Sequence, residues 1–329
     1  MSTLIALVLF GGVVMYAIFG GADFGAGFWD LTAGGVERGR RPRQLIDESI
    51  GPVWEANHTW LIYCLVVMWT AFSSAFAAIM TTLYLPLGLA ALGIVLRGSG
   101  FAFRKVSGRT AEERVNGAVF AVSSVVTPFC FGAVAGGIAS GRVPTGGNGD
   151  AVTSWLNPTS ITGGILAVTV CAYLAAVFLT EDARLRDEPD LESWARRRAL
   201  GAAAVAGAVS IVGLFVLRSD AHRLYSHLLH QGLAFVIVSV LAGLAALVAL
   251  RRAQPRMVRV LAVLAVGAVL IGWGAAQYPY LLGDHVSIAS AAAPGPTLAA
   301  LTVVAVVALV LVVPSLALLF MLQQRRRLE

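Results

Sequence analysis

The amino-acid sequence predicts an all-α polytopic membrane protein of nine transmembrane helices. Three observations lead to this fold class: the composition, the length of the apolar runs, and the placement of Lys and Arg. Of the 329 residues, 58% are hydrophobic and only 13% are charged, and the mean hydropathy is +0.80. Soluble domains carry about 25% charged residues. Because this chain has too few polar residues to cover a globule, we expect lipid to be its solvent.

Nine runs of the sequence are long enough to cross a bilayer, since a helical span needs about 20 apolar residues. The first 20 residues have neither a basic start nor a small-residue cleavage site, so we interpret them as a span rather than a signal peptide. We predict one membrane domain over residues 1–329. Its spans cover approximately 3–26, 50–73, 76–98, 115–139, 160–180, 199–217, 228–250, 258–280 and 297–322.

The Lys and Arg residues predict the orientation of these spans. Of the 24 Lys and Arg residues, 21 lie in alternate connections or the C-terminal tail, and the other three are Arg142, Arg218 and Arg223. Cytoplasmic loops carry the excess of positive charge, so the N-terminus is expected outside and the C-terminus in the cytoplasm. Because the basic residues occupy short connections between spans, we exclude a nucleic-acid partner and expect membrane lipids as neighbours.

The connections are short and carry no motif of a soluble enzyme. The Gly-rich segment Ser140–Ser160 is expected to be irregular and outside, and Glu181–Arg198 is expected to be an inner loop with a short surface helix. Cys64, Cys130 and Cys171 form no Cys-x-x-Cys pair, so neither a disulfide nor a zinc site nor a covalent haem is indicated. The sequence contains no Walker A, His-Glu-x-x-His or Gly-x-Ser-x-Gly motif.

Ionisable residues inside the predicted spans concentrate in the first three helices. At about 1.5 Å per residue, Asp23 lies roughly 30 Å from the outer start of the first helix. Glu55 and His58 lie only about 8 and 12 Å from the inner start of the second helix, and Arg97 ends the third. These four side chains are therefore expected to converge on the cytoplasmic third of the bundle. We expect Asp30, which follows the predicted end of the first helix, to be solvated or capping at or beyond the interface.

Two interpretations of these four residues remain open. Glu55 and His58 are three residues apart and share a helix face, so a carboxylate and an imidazole there can pass protons between water and the membrane interior. Alternatively, Arg97 forms a buried ion pair with Asp23 or Glu55 that only fixes helix packing, or extends to the headgroups. For His58, a hydrogen-bonded packing role competes with a ligand role.

A second histidine group lies on the predicted outer side. Four imidazoles can bind a metal, but their spacing is loose and solvated loop histidines are common. The group consists of His222, His227, His230 and His285. Tyr278 and Tyr280 lie near the outer interface, where an aromatic belt accounts for them.

Three motifs built from these residues carry a resemblance to a known family. They are GGADFGAG at Gly20–Gly27, SIGPVWEANHTWL at Ser49–Leu61 and LRGSGFAFR at Leu96–Arg104. Together with nine spans over the whole chain, they resemble subunit II of cytochrome bd-type quinol oxidases. The resemblance implies two four-helix units plus one helix, in the bacterial cytoplasmic membrane.

The resemblance also implies a function within an aerobic respiratory complex that oxidises quinol and reduces O2 to water. The partner is subunit I, which holds haem b and haem d or a b-type replacement, while this chain is expected to bind no cofactor or metal of its own. A structural quinone or lipid and small single-helix subunits are further partners that the resemblance allows. This chain is expected to support assembly and a cytoplasmic proton-uptake route.

Residue by residue, the resemblance assigns the family's acidic positions to Asp23 and Glu55, its arginine to Arg97, and an oxygen-entry tryptophan to Trp60. Many members have Asp at the position of Glu55, and some have Gln at the position of His58. The competing hypotheses are a proton-coupled secondary transporter and a structural scaffold. Transporters favour broken helices and a polar site at the midplane, whereas the sequence shows ionisable groups near one face and no paired interrupted helices.

Overall fold

The structure is a computed structural model that describes residues 1–50, 54–106 and 110–324, and it is almost entirely helical. Its only strands in the described part form a small antiparallel hairpin, β1 (Tyr280–Leu282) and β2 (Val286–Ser287). The helices are α1 Ser2–Leu31, α2 Val36–Ile50, α3 Trp54–Ala71, α4 Ser73–Thr82, α5 Tyr84–Val106, α6 Thr110–Ala139, α7 Pro158–Leu185, α8 Pro189–Asp220, α9 His222–His230, α10 Leu233–Arg251, α11 Pro255–Gln277 and α12 Gly295–Gln324. The predicted all-α membrane class is confirmed.

Eight helices in the described ranges are long and apolar enough to cross a membrane, or nine spans if the bent pair α3–α4 counts as one. The eight are α1, α5, α6, α7, α8, α10, α11 and α12. The predicted second and third spans, 50–73 and 76–98, are divided differently in the structure. The chain bends by 118° between α3 and α4, and α5 begins only at Tyr84.

The bend between α3 and α4 is fixed by burial. Phe72 has non-helical backbone angles and a fully buried side chain. The carbonyl oxygen of Ala71, at the end of α3, accepts a hydrogen bond from the backbone N–H of Ala293, at 2.8 Å. A packed aromatic ring and a partner for the freed carbonyl therefore stabilise an interruption that the sequence analysis did not find.

The segment 181–198 was predicted as an inner loop with a short surface helix; it is helical except at residues 186–188, but its helices continue the neighbouring spans. α7 continues to Leu185 and α8 already begins at Pro189. Glu and Arg have good helix propensity, and Pro at the first position with Asp190 and Glu192 in the first turn favours a helix start. A charged segment can therefore be helical outside the apolar core of the membrane.

The two ends of the bundle differ in charge. The basic end is the end at which α2, the α7–α8 turn and the start of α11 meet. There Arg186 pairs with Glu48 of α2, and the Nε atom of Arg256 lies 3.6 Å from the carboxylate of Glu181. The opposite end holds α4, α9 and the hairpin. The distribution of Lys and Arg predicts that the basic end is cytoplasmic.

Helix α1 lies in the middle of the bundle, against α3, α6 and α7. Its glycines permit this close packing. A Cβ atom at Gly25 would overlap the main-chain carbonyl of Cys171 in α7, and one at Gly27 would overlap the hydroxyl of Ser124 in α6. Small residues let membrane helices approach closely, and here they bring three neighbouring helices around Asp23.

Candidate functional site

The candidate site is centred on Asp23 of α1, which is only 7% exposed. Its carboxylate oxygen Oδ2 accepts a hydrogen bond from the amide Nδ2 of Asn57, at 2.7 Å. The Asn57 residue is itself buried, and its other side-chain atom, Oδ1, has no hydrogen-bond partner among the described residues. The bond ties α1 to α3 and leaves a polar atom available beside the acid.

Arg97 of α5 supplies a positive charge beside Asp23 and is 1% exposed. Its Nη2 atom donates to the main-chain oxygen of Asp23 at 3.0 Å, and its Nε atom donates to the hydroxyl of Ser124 at 3.1 Å. The guanidinium also lies 5.1 Å from the ring centroids of both Phe24 and Phe120. Arg97 does not extend to the headgroups; it is held inside the bundle by α1 and α6.

His58 lies next to this cluster, on the same helix as Asn57. Its side chain is half-buried, and its Nδ1 atom is 3.4 Å from the hydroxyl of Tyr16. The imidazole is surrounded by the rings of Tyr16, Phe24 and Trp54, with centroids 6.0–6.1 Å away. The imidazole of His58 and the phenol of Tyr16 thus extend the row of polar groups on α1 and α3 in the direction away from the basic end.

The structure does not bring all of the predicted residues together. Glu55 is exposed on α3, so it does not join the buried cluster of Asp23 and Arg97. Trp60 is buried against Tyr63, and its Nε1 atom has no hydrogen-bond partner among the described residues. Asn57, rather than Glu55, is the α3 residue that contacts Asp23. The predicted roles of Glu55 and Trp60 stay predictions.

Asp30 is the clearest residue that the sequence analysis placed wrongly. It was expected to be solvated or capping, but it is 3% exposed, and its Oδ1 atom accepts from Nε of Arg43 at 2.9 Å. The sequence held a signal for it, because Tyr16, Asp23 and Asp30 are spaced by seven residues in an otherwise apolar helix. Seven residues make nearly two turns, so the three lie on one face.

The four histidines of the predicted outer group are spread over separate contacts. Nδ1 of His227 lies 3.1 Å from the carbonyl oxygen of Ala276, Nδ1 of His230 lies 2.7 Å from that of Ser226, and His285 pairs with its neighbour Asp284 at 2.8 Å. Within residues 1–50, 54–106 and 110–324, no group of three or more His, Cys, Asp or Glu side chains is arranged to hold a metal ion.

The arrangement around Asp23 suits the handling of a proton. Burial of an unpaired carboxylate in a membrane is costly, and here an amide and a nearby guanidinium offset part of that cost. A carboxylate with these partners can alternate between charged and protonated forms, provided that a proton reaches it. Arg97 stabilises the charged form, and the unpartnered Oδ1 atom of Asn57 can accept a further hydrogen bond.

Comparison with known proteins gives a consistent result. The profile of the family described as "Cytochrome bd terminal oxidase subunit II" matches residues 1–323. The "Cytochrome bd ubiquinol oxidase subunit 2" of Bacillus subtilis (strain 168) is 29% identical over 54% of this chain, which spans about half, 52%, of that relative. A second protein of the same strain, whose name places it among cytochrome bd subunits II, is 24% identical over 95% of this chain and 93% of its own length.

A solved structure shows the same fold. The bd oxidase from Geobacillus thermodenitrificans contains a chain that matches this one with a TM-score of 0.84 and 23% identity, over 98% of both chains. The overall arrangement of helices is therefore shared along nearly the whole length.

Proposed function

Because the chain belongs to the family of cytochrome bd terminal oxidase subunit II, we propose that it forms a quinol oxidase with a subunit I that bears haem b and haem d or a b-type replacement. It is a multi-pass protein of a bacterial membrane. Within the complex, this chain supports assembly and conducts protons from the cytoplasm toward the partner. The haems supply the O2 chemistry there, and this chain binds none.

The observation that carries the proton-conducting role is the buried acid on α1. Asp23 lies inside the bundle, hydrogen-bonded to Asn57 and next to the fully buried Arg97. Ionisable residues within membrane spans are costly and mark proton or ion pathways. An acid that served only to attract Arg97 would not need a second polar partner with an unpaired oxygen, so this cluster favours transfer over packing alone.

The onward route from Asp23 follows His58 and Tyr16 toward the surface of α3. His58 is half-buried and Glu55 is exposed, so both lie where a partner subunit can reach them in the assembled complex. In this proposal, Glu55 acts at the interface and not inside the bundle. The oxygen path along Trp60 remains a prediction from the family resemblance, as do a structural quinone or lipid and small single-helix subunits.

A secondary transporter is disfavoured by the position of the one interrupted span among the described residues. α3 has 18 residues and is about 27 Å long, so its bend into α4 lies near the opposite end of the bundle. Transporters instead place paired broken helices and a polar site at the midplane. The ionisable cluster here lies toward the basic end, away from the bend.

Co-expression with a gene for subunit I tests the proposed function. We expect a co-purifying partner with haem absorbance, and membranes that consume O2 when supplied with quinol. Membranes prepared in the same way, but with Asp23→Asn in this chain, are compared with these to test the proton-conducting role. A stable, colourless and solitary protein, with no quinol-dependent O2 uptake, would contradict the proposal.

A further inference from the structure

The stripe of ionisable residues on α1 extends beyond Asp23 toward the basic end. We propose that Asp30, with Arg43 of α2 as its gate, is the entry residue through which protons from the cytoplasm reach Asp23. This inference rests on the proposed proton-conducting function and adds a residue that none of the three family motifs contains. Three observations support it: the burial of Asp30, the contacts of Arg43, and the polar atoms between Asp23 and Asp30.

Asp30 is buried, and one of its partners, Arg43, reaches water. The residue is 3% exposed, whereas the side chain of Arg43, which donates to it at 2.9 Å, is 30% exposed. Arg43 is also held by the turn between α1 and α2, because its Nη2 atom donates to the carbonyl oxygen of Gly34 at 2.6 Å. Rotation of this guanidinium toward water would break its hydrogen bond to the Oδ1 atom of Asp30 without any change in the helices.

Polar atoms occupy the interval between the two acids. Asp23 and Asp30 are about 10.5 Å apart along the helix axis, and Gly27 lies between them on the same face. Since Gly27 has no side chain, the hydroxyl of Ser124 fits against α1 at this level. The same hydroxyl accepts a hydrogen bond from Arg97, which in turn donates to the backbone of Asp23.

The transfer is a sequence of proton hops that returns Asp30 to its charged form and leaves Asp23 protonated until the proton moves on toward His58 and Tyr16. A proton from the cytoplasm binds the carboxylate of Asp30 while Arg43 is turned away. It then leaves through water hydrogen-bonded to the Ser124 hydroxyl. That hydroxyl donates to the carbonyl oxygen of Phe120 at 2.6 Å, so it turns toward the water, passes one proton on for each that it receives, and thereby delivers a proton to Asp23. A hydroxyl at mid-interval shortens each gap to roughly 5 Å, which one water molecule can bridge at ordinary hydrogen-bond lengths of about 2.8 Å.

The pairing with Arg43 also admits a simpler role, in which Asp30 only anchors α2 to α1. Glu48 provides a matched control, because it pairs α2 with Arg186 of the α7–α8 turn and has no contact with Asp30 among the described interactions. Glu48→Gln removes an α2 anchor of the same kind. A purely anchoring role for Asp30 predicts that the Asp30 and Glu48 variants behave alike.

The experiment uses the purified oxidase complex in sealed vesicles, with haem absorbance and proton uptake from the cytoplasmic side followed after an O2 pulse. We expect Asp30→Asn to keep its haem spectrum and its reduction by quinol but to take up protons at least about tenfold more slowly, since a positioned proton-transfer group contributes about 10²–10⁴-fold. Asp30→Glu should recover most of the rate, and Glu48→Gln should behave as wild type.

The outcomes separate this inference from the proposed function. Slow uptake in Asp23→Asn together with a wild-type rate in Asp30→Asn would overturn the entry role and leave the proposed function standing. Wild-type rates in both would overturn the proposed function itself. Equal slowing in Asp30→Asn and Glu48→Gln would overturn the entry role in favour of anchoring. If Asp30→Asn does not assemble, Ser124→Ala decides, because an assembled Ser124→Ala complex with a wild-type uptake rate would also overturn the route.

Discussion

Replacement of Arg97 by alanine is the perturbation whose size follows most directly from the structure. The substitution removes two hydrogen bonds from a charged donor, to Asp23 and Ser124, each contributing about 1.5–3 kcal/mol. It also removes the contact with two aromatic rings and the guanidinium that lies beside the buried carboxylate of Asp23. Because these effects overlap, we expect the total loss to equal that of breaking a buried ion pair, about 3–5 kcal/mol.

A double variant separates the charge effect from the packing effect. Combining Arg97→Ala with Asp23→Asn removes the uncompensated carboxylate, so part of the stability should return, about 0.5–3 kcal/mol as for other coupled neighbours. The assay is thermal unfolding of the complex in detergent, together with haem content per polypeptide. The midpoints should decrease from wild type to the double variant to Arg97→Ala. A double variant that is no more stable than Arg97→Ala would refute the electrostatic reasoning.

Three further predictions concern packing, the α3 surface and the irregular outer segment. Gly25→Ala should lower the thermal midpoint of the complex by the equivalent of about 1–3 kcal/mol, since a Cβ there overlaps a main-chain carbonyl of α7; Gly11→Ala, with open space around it, should unfold as wild type does. Glu55→Gln should leave the midpoint unchanged because the side chain is exposed, but slow quinol-driven O2 uptake, and Glu55→Asp should restore that uptake; an assembled Glu55→Gln complex with wild-type O2 uptake would contradict this role. Hydrogen bonds from Thr153 and Val152 hold the pKa of Asp150 below its usual range. The turn that Asp150 caps is therefore stabilised at neutral pH and should loosen as the pH falls through that lowered pKa, which faster amide exchange over residues 151–156 would show after normalisation for the intrinsic rate. Exchange that stays equally protected at low pH would contradict this prediction.

How far the sequence predicted the fold is clear from α1 and α7. The apolar runs predicted that both helices exist, because a run of about 20 apolar residues indicates a transmembrane helix. They did not predict where the helices end, because the length of an apolar run reflects the thickness of the membrane's apolar core and not the length of the helix. Asp30 shows the consequence: it lies beyond the predicted end at residue 26, yet α1 continues to Leu31 and α2 covers it.

The candidate site was predicted in part for a related reason. Charged residues are so rare in the spans that Asp23 and Arg97 could be singled out from composition alone. The partners on α3 could not, because its polar residues are spread around the helix, and a helix without a separate polar face gives no sign of which side meets its neighbours. Asn57 faces α1 and Glu55 does not, and only the packing of α1 against α3 decides between them.

The bend between α3 and α4 depended on long-range contacts that no local pattern contains. Phe72 is an ordinary residue for a membrane helix, and the break is stabilised by the burial of its ring and by the backbone of Ala293, which lies more than 200 residues away in sequence. For segment 181–198 the charge pattern predicted a loop with a separate short surface helix, whereas α7 and α8 extend into this segment up to a three-residue turn.

Proton uptake by the Asp23→Asn complex tests the central claim most directly. The complex is reconstituted in sealed vesicles, reduced with quinol and exposed to an O2 pulse, while a pH-sensitive dye reports protons taken from the cytoplasmic side. The proposed route predicts a wild-type haem spectrum and a slowing of uptake of at least about tenfold. A fully assembled Asp23→Asn complex that takes up protons and reduces O2 at the wild-type rates would contradict it.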